Sequence, residues 1–191
     1  TPFDETAADL LETLDVPAYK IASFEITDLP LIDYVASKRK PMFMSTGMAD
    51  VDEIGEALEC CYKNGNKDIL LFHCISNYPA DLQSSHLGDI SYLADHFKVE
   101  VGLSDHTTSN MASVLAVAKG ASAIEKHFKL DEMDCGPDSS FSILPDELKS
   151  LCDDCESAFE AVKSTKLVRD PSELVNKKFR RSIYFVRSLA E

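Results

Sequence analysis

No stretch of this 191-residue sequence approaches the ~20 consecutive apolar residues of a membrane-crossing helix, and runs such as Ile69 to Phe72 end after a few positions. No charged segment leads into an apolar one at the start, so neither a membrane protein nor a secreted one is expected. Positive charge is scarce: 19 Lys and Arg stand against 33 Asp and Glu, a formal charge of −14. A field of that sign repels nucleic acid and anionic lipid, which excludes both as expected partners. The six cysteines (Cys60, Cys61, Cys74, Cys135, Cys152 and Cys155) are dispersed through apolar segments of a chain too large to depend on disulfide staples. Reduced thiols in a cytoplasmic protein are the expectation. With 45% hydrophobic and 27% charged residues the chain has the balance of an ordinary globular protein. It opens at Thr1-Pro2-Phe3-Asp4 and stops at Ala190-Glu191 in a strand-like run, which reads as part of something longer.

Short apolar segments recur over Ala18 to Phe24, Pro41 to Ser45, Ile69 to Ile75, Val99 to Leu103 and Ala121 to Phe128. Their centres lie roughly one strand-plus-helix unit apart. Asp50 is placed to cap a helix with an apolar face of Val51, Ile54, Leu58 and Cys61, stopped at Asn64-Gly65. Thr107 or Thr108 is expected to cap a second, with Met111, Val114, Leu115 and Ala118 inward. Pro145-Asp146-Glu147 reads as the first turn of a third, burying Leu148, Leu151, Cys155, Phe159 and Val162. Such alternation implies a parallel sheet, either open and doubly wound or closed as a (β/α)8 barrel, and periodicity leaves that choice open. The chain divides into an α/β unit over residues 1–165, a charged linker over 166–180 and a new unit over 181–191 that begins with a strand at Ser182 to Val186.

Polar residues gather at the strand ends: Lys20 and Ser23, Ser45 and Thr46, His73, Ser104-Asp105-His106 and Lys126-His127. In parallel α/β folds that end of the sheet holds the active site. His106 and His127 lie on successive units, so their imidazoles can converge on one ion of Mn, Fe or Zn with positions left open for a substrate oxygen. Lys20 and Lys126 are candidates to bind an anion, with Ser23 and Ser104 as extra donors; the alternative is ion pairing to Glu25 and Glu125. Cys152-Asp153-Asp154-Cys155 has redox or zinc spacing but falls inside the third helix with no second pair, so packing is expected there. Packing is also expected of Cys60, Cys61, Met42, Met44 and Met48.

Read in order, the strings Tyr19-Lys20-Ile21-Ala22-Ser23, Ser45-Thr46-Gly47-Met48-Ala49, His73-Cys74 to Tyr78-Pro79, Gly102-Leu103-Ser104-Asp105-His106-Thr107, Glu125-Lys126-His127-Phe128 and Gly136-Pro137-Asp138 resemble the N-acetylneuraminate (sialic acid) synthase family. The resemblance runs from Thr1 to about Arg187. It implies a TIM barrel followed by a small antifreeze-like (SAF) domain, with this chain supplying roughly the last five βα units. Five strands cannot by themselves close a barrel of eight. The antifreeze-like domain begins at about Arg181.

By resemblance, Thr1, Lys20, Ser23 and Ser104 hold the phosphate of phosphoenolpyruvate, and His106 and His127 hold a divalent metal, Mn2+ with Mg2+ or Co2+ as alternatives. Glu25, Tyr78 and Asp138 meet an N-acylated amino sugar, and Ser76 stands where the family commonly has Asn. Lys20, His106 and His127 are the expected catalytic residues. The implied reaction joins phosphoenolpyruvate to N-acetylmannosamine or a relative and releases phosphate, in a cytoplasmic homodimer. The enol carbon attacks the open-chain aldehyde, whose oxygen the metal polarises. Ser139 and Lys129 depart from the family pattern on the sugar side, which leaves the acceptor open. Two alternatives remain: a non-catalytic sugar-phosphate-binding fragment and a related 3-deoxy sugar acid synthase.

Overall fold

The computed structural model describes residues 1–133, 135–164, 169–184 and 186–188. Helix α1 (Glu5–Thr13) precedes a regular alternation of β1 (Tyr19–Ile21), α2 (Leu29–Ser37), β2 (Met42–Ser45), α3 (Val51–Lys63), β3 (Ile69–Cys74), α4 (Gly88–Phe97), β4 (Glu100–Asp105), α5 (Met111–Ala118), β5 (Ile124–Lys126) and α6 (Pro145–Val162). The five strands pair in chain order, all parallel. All five apolar segments of the sequence therefore become strands, within a few residues of the expected bounds.

The sheet is strongly curled. Four strand spacings of about 4.8 Å set β1 and β5 roughly 19 Å apart in a flat sheet, beyond the joint reach of two side chains. Yet Lys20 Nζ on β1 lies 3.1 Å from Glu125 Oε1 on β5. The result is a parallel half-barrel whose edges, among the described residues, are β1 and β5.

Side chains alternate across this curled sheet. Ile21, Met42, Met44 and Leu71 point outward and are fully buried beneath the helices. The helices meet them with Leu31, Ile32, Val35 and Ala36 of α2 and Ile54, Ala57, Leu58 and Cys61 of α3. Each large side chain so covered contributes roughly 1.5–3 kcal/mol. The inner face instead carries Lys20, Phe43, Ser45, Phe72, Ser104 and Glu125, as the register shows. That polar face is what the site is built on.

Asp50 caps α3 as expected: its carboxylate accepts from Glu53 N–H at 2.9 Å and the Glu53 carboxylate accepts from Asp50 N–H at 2.9 Å. Neither Thr107 nor Thr108 caps α5, whose N-cap position is Asn110. Thr107 is consumed by its own loop, its N–H donating to Asp105 Oδ1 and its hydroxyl to Ser109 O. The buried face of α5 is Ala112, Ser113, Ala116 and Val117, while Met111, Leu115 and Ala118 face outward. Met-Ala-Ser-Val-Leu-Ala-Val-Ala offers two apolar stripes, so its periodicity could not choose. On α6 only Leu151 is buried, and Phe159 and Val162 are exposed.

Met42 and Met44 fill the core, but Met48 stands exposed with a positive φ of 68°. Of the expected linker over 166–180, residues 166–168 fall outside the described residues, and Pro171–Phe179 winds as a 3-10 helix. The expected strand at Ser182 to Val186 is absent from its described residues, 182–184 and 186. Ile183 and Val186 there are almost wholly exposed, and an unpartnered segment has no ladder in which to be a strand.

Candidate active site

Alternation along β4 and β5 aims every second residue into the half-barrel: Ser104 and then His106 just past β4, Glu125 and then His127 just past β5. With Thr1, Phe3, Lys20, Ser23, Ser45 and Tyr78 they line one cavity of about 370 Å³ at the C-terminal end of the sheet. Seven of the ten residues expected at the site (Thr1, Lys20, Ser23, Tyr78, Ser104, His106 and His127) thus border a single space.

Glu125 is the hub. Its Oε1 accepts from Lys20 Nζ at 3.1 Å and from Ser104 Oγ at 2.7 Å. Lys20 also lies over the Phe72 ring, 5.5 Å from its centre. Ser104 has one hydroxyl proton, and the carboxylate takes it. His106 Nε2, 3.2 Å from Ser104 Oγ, is left without a donor. Its other nitrogen, Nδ1, donates to the carbonyl of Ile75 at 2.9 Å, which settles the tautomer. Burial holds the His106 imidazole below its ordinary pKa, so the ring is neutral with a lone pair on Nε2. That is the state a metal ligand requires.

His127 stands across from it, ring centres 5.5 Å apart and nearly edge-on, with its Nδ1 3.4 Å from Asp138 Oδ2. Tyr78 packs 4.2 Å from His106 and 5.8 Å from His127, and Phe141 closes the cluster 4.9 Å from His127. Burial raises the Tyr78 phenol, which keeps its proton. Among the described residues no group of three His, Cys, Asp or Glu side chains could hold a metal ion. The donor set present is two imidazoles, one with a free lone pair, which fits an ion that takes its remaining ligands from substrate or water.

The other expected residues sit around this space. Asp138 reaches it through His127. Ser76 does not line the cavity itself: its Oγ lies 3.9 Å from Cys74 Sγ, which in turn lies 3.0 Å from the cavity-lining Ser23 Oγ. Glu25 turns one carboxylate oxygen, Oε2, into a buried position with no hydrogen-bond partner among the described residues. The Ser45 hydroxyl is in the same condition and borders the cavity.

Two strand-end residues do not serve the site directly. His73 points outward and its Nε2 meets Ser85 O at 2.8 Å behind the sheet. Lys126 borders the cavity, but its side chain is only 3% exposed and its ammonium is bonded to Asp105, Thr107 O and Ser109 O, so it is no anion receptor. The alternative Lys–Glu pairing holds for Lys20 with Glu125, and among the described residues no lysine pairs with Glu25. All six cysteines are free, and Cys60 and Cys61 are packed in the core.

Residues 1–166 match the model of the NeuB family. The N,N'-diacetyllegionaminic acid synthase of Campylobacter jejuni is 47% identical over 154 residues, covering 80% of this chain and 46% of that protein. The pseudaminic acid synthase of Helicobacter pylori is 37% identical over 190 residues, covering 99% of this chain and 56% of that protein. This chain therefore spans about half the length of these relatives. Among solved structures, the N-acetylneuraminic acid synthetase of Leptospira borgpetersenii superposes with a TM-score of 0.86 at 31% identity, covering 94% of this chain and 62% of that one. No helix among the described residues is long and apolar enough to cross a membrane. With its family model matched over 166 residues and its half-barrel superposed on a family structure, this chain belongs to the NeuB family.

Proposed function

We propose that this chain carries the phosphoenolpyruvate- and metal-binding part of a nonulosonic acid synthase, which condenses phosphoenolpyruvate with an N-acylated amino sugar and releases phosphate. One observation carries the reading: a lysine, a cluster of serines and two imidazoles from four different strands face one cavity. Named relatives that make legionaminic and pseudaminic acids support it. In the transferase so proposed, a divalent ion, Mn2+ first, is held by His106 and His127 and supplies Lewis-acid polarisation of the sugar aldehyde.

The chain's own groups do the positioning. Lys20 spends one N–H on Glu125 and keeps two for phosphate oxygens. The Ser45 hydroxyl, buried and unpartnered, gains a partner when an anion enters, with Thr1 and Ser23 beside it. Asp138 orients His127 through Nδ1. Tyr78 offers the acceptor sugar an aromatic face beside the two imidazoles. Holding donor and acceptor at this spacing converts an encounter of two molecules into an intramolecular step. The buried carboxylate oxygen of Glu25 is the group left to meet a sugar hydroxyl. The same reading places the protein in the cytoplasm as a homodimer.

The test supplies a full-length protein containing this chain with Mn2+, phosphoenolpyruvate and either N-acetylmannosamine or a diacetamido-trideoxyhexose. Phosphate release that depends on the sugar and vanishes in His106→Ala with His127→Ala is expected. Sugar binding that needs no metal, with no phosphate release, favours the non-catalytic reading.

A further inference from the structure

Between the inward residues of β4 and β5 stand two that point the other way. Asp105 lies between Ser104 and His106, Lys126 lies between Glu125 and His127, and the two are direct partners in the β4–β5 register. Lys126 Nζ donates to Asp105 Oδ2 at 2.9 Å, to Thr107 O at 2.7 Å and to Ser109 O at 3.1 Å, which uses all three of its protons. Asp105 Oδ1 accepts from Thr107 N–H at 2.8 Å, and Oδ2 accepts from the Ser113 hydroxyl at 2.6 Å. Their side chains are 3% and 0% exposed. One buried ion pair thereby ties together two strand ends, the loop after β4 and helix α5.

Stability does not account for it. Desolvating two charges costs about as much as their attraction returns, and an apolar pair of similar volume holds such a position equally well. An apolar pair cannot impose direction. The ion pair fixes the backbone on both sides of His106, at Asp105 and Thr107, and on the near side of His127, at Lys126, and ion ligation tolerates only about ±0.2 Å in ligand distance. We propose that Asp105 and Lys126 are positioning residues that hold His106 and His127 at the spacing a shared metal ion requires. The inference rests on the two-histidine metal reading above.

The test is Mn2+ affinity by calorimetry on the full chain, with unfolding followed in parallel. In Asp105→Leu with Lys126→Met no charge is left buried alone, but the Thr107 N–H, the Ser113 hydroxyl and the Thr107 and Ser109 carbonyls lose their partners, so the unfolding midpoint is expected to fall while the protein still folds. Mn2+ affinity is expected to fall about 10- to 100-fold, the usual effect of losing groups that orient metal ligands. Equal affinity in the double variant overturns the proposal. If the double variant does not fold, Ser113→Ala decides: it removes one tether on Asp105 from a helix outside the cavity, and a severalfold loss of Mn2+ affinity supports the proposal while unchanged affinity overturns it. A parent protein that binds no Mn2+ removes the metal reading itself and the positioning role with it, whereas a parent that binds while the variants match it removes the positioning role alone.

Discussion

Lys20 and Glu125 meet at 3.1 Å from opposite edges of the five-stranded sheet, 105 residues apart in sequence. The contact closes the inner face and also places a carboxylate where an incoming anion competes for the same ammonium. Lys20→Ala is expected to weaken phosphoenolpyruvate binding about tenfold or more, since a charge-assisted donor is lost. Glu125→Gln is expected to act in the opposite sense on inorganic phosphate, tightening it by removing the competing negative charge. Calorimetric titration of both variants checks the pair. Weaker phosphate binding by Glu125→Gln would show that the carboxylate organises the anion site rather than opposing it.

The α3 cap is separable from the site. Asp50→Ala removes the acceptor of Glu53 N–H and breaks the reciprocal arrangement at the helix start. It is expected to cost about 1 kcal/mol, near 3 °C in melting temperature for a chain of this size. Mn2+ affinity should not change. A thermal melt beside a metal titration reads both, and a shift in metal affinity would mean that this cap communicates with the cavity.

Cysteine chemistry should divide along burial. Cys135 and Cys152 are exposed, and iodoacetamide at pH 8 is expected to label them first, while Cys60, Cys61 and Cys74 stay protected until the chain unfolds. Burial pushes the Cys61 thiol up to about 12. Burial, and then the hydrogen bond with Glu12, also hold the Tyr19 phenol above its ordinary value. Both groups keep protons in the folded state that the unfolded chain releases, so stability falls as pH rises past the unfolded thiol value of 9.0. For Cys61 alone the loss reaches about 2 kcal/mol by pH 10.5. Cys61→Ala should flatten that part of the curve in urea unfolding followed from pH 8 to 10.5, and an unchanged slope would assign the alkaline loss elsewhere.

The strands were legible because β-branched and apolar runs of the right length recur at the spacing of a βα unit. The strand-end polar residues were legible because buried strands have no other reason to carry Lys, Ser and His. Which face each residue takes was harder to read. Ser104, His106, Glu125 and His127 share the inner face by alternation, and that same rule sends Asp105 and Lys126 behind the sheet; reading Lys126 as an anion receptor ignored it. Glu125 was visible only as a partner for a lysine, since its role as common acceptor for Lys20 and Ser104 depends on a curl that no local pattern encodes. Phe72 and Phe141 carry no sequence signal at all beyond being apolar.

Gly102 offers a sharper test of the inner face. A Cβ there would lie 2.5 Å from the carbonyl oxygen of Ala123 and 2.8 Å from the Phe72 ring. The carbonyl belongs to the backbone and accepts from Leu103 N–H at 2.9 Å, so β4 and β5 must shift apart locally as well as the ring move. Phe72 is the direct register partner of Gly102, packs edge-on with Phe43 at 5.9 Å and lies beneath the Lys20 ammonium. Gly102→Ala is therefore expected to cost about 1–3 kcal/mol through overpacking, and to weaken phosphoenolpyruvate binding by displacing Lys20. Gly55 is the control: a Cβ there meets nothing nearer than the Phe97 ring at 3.8 Å, within helix α3. Gly55→Ala should stabilise by about 0.5–1 kcal/mol through helix propensity alone. Urea unfolding of the two variants should move the midpoint in opposite directions, and a Gly102→Ala protein as stable as its parent would mean that neither the Ala123 carbonyl nor the Phe72 ring is held against that strand.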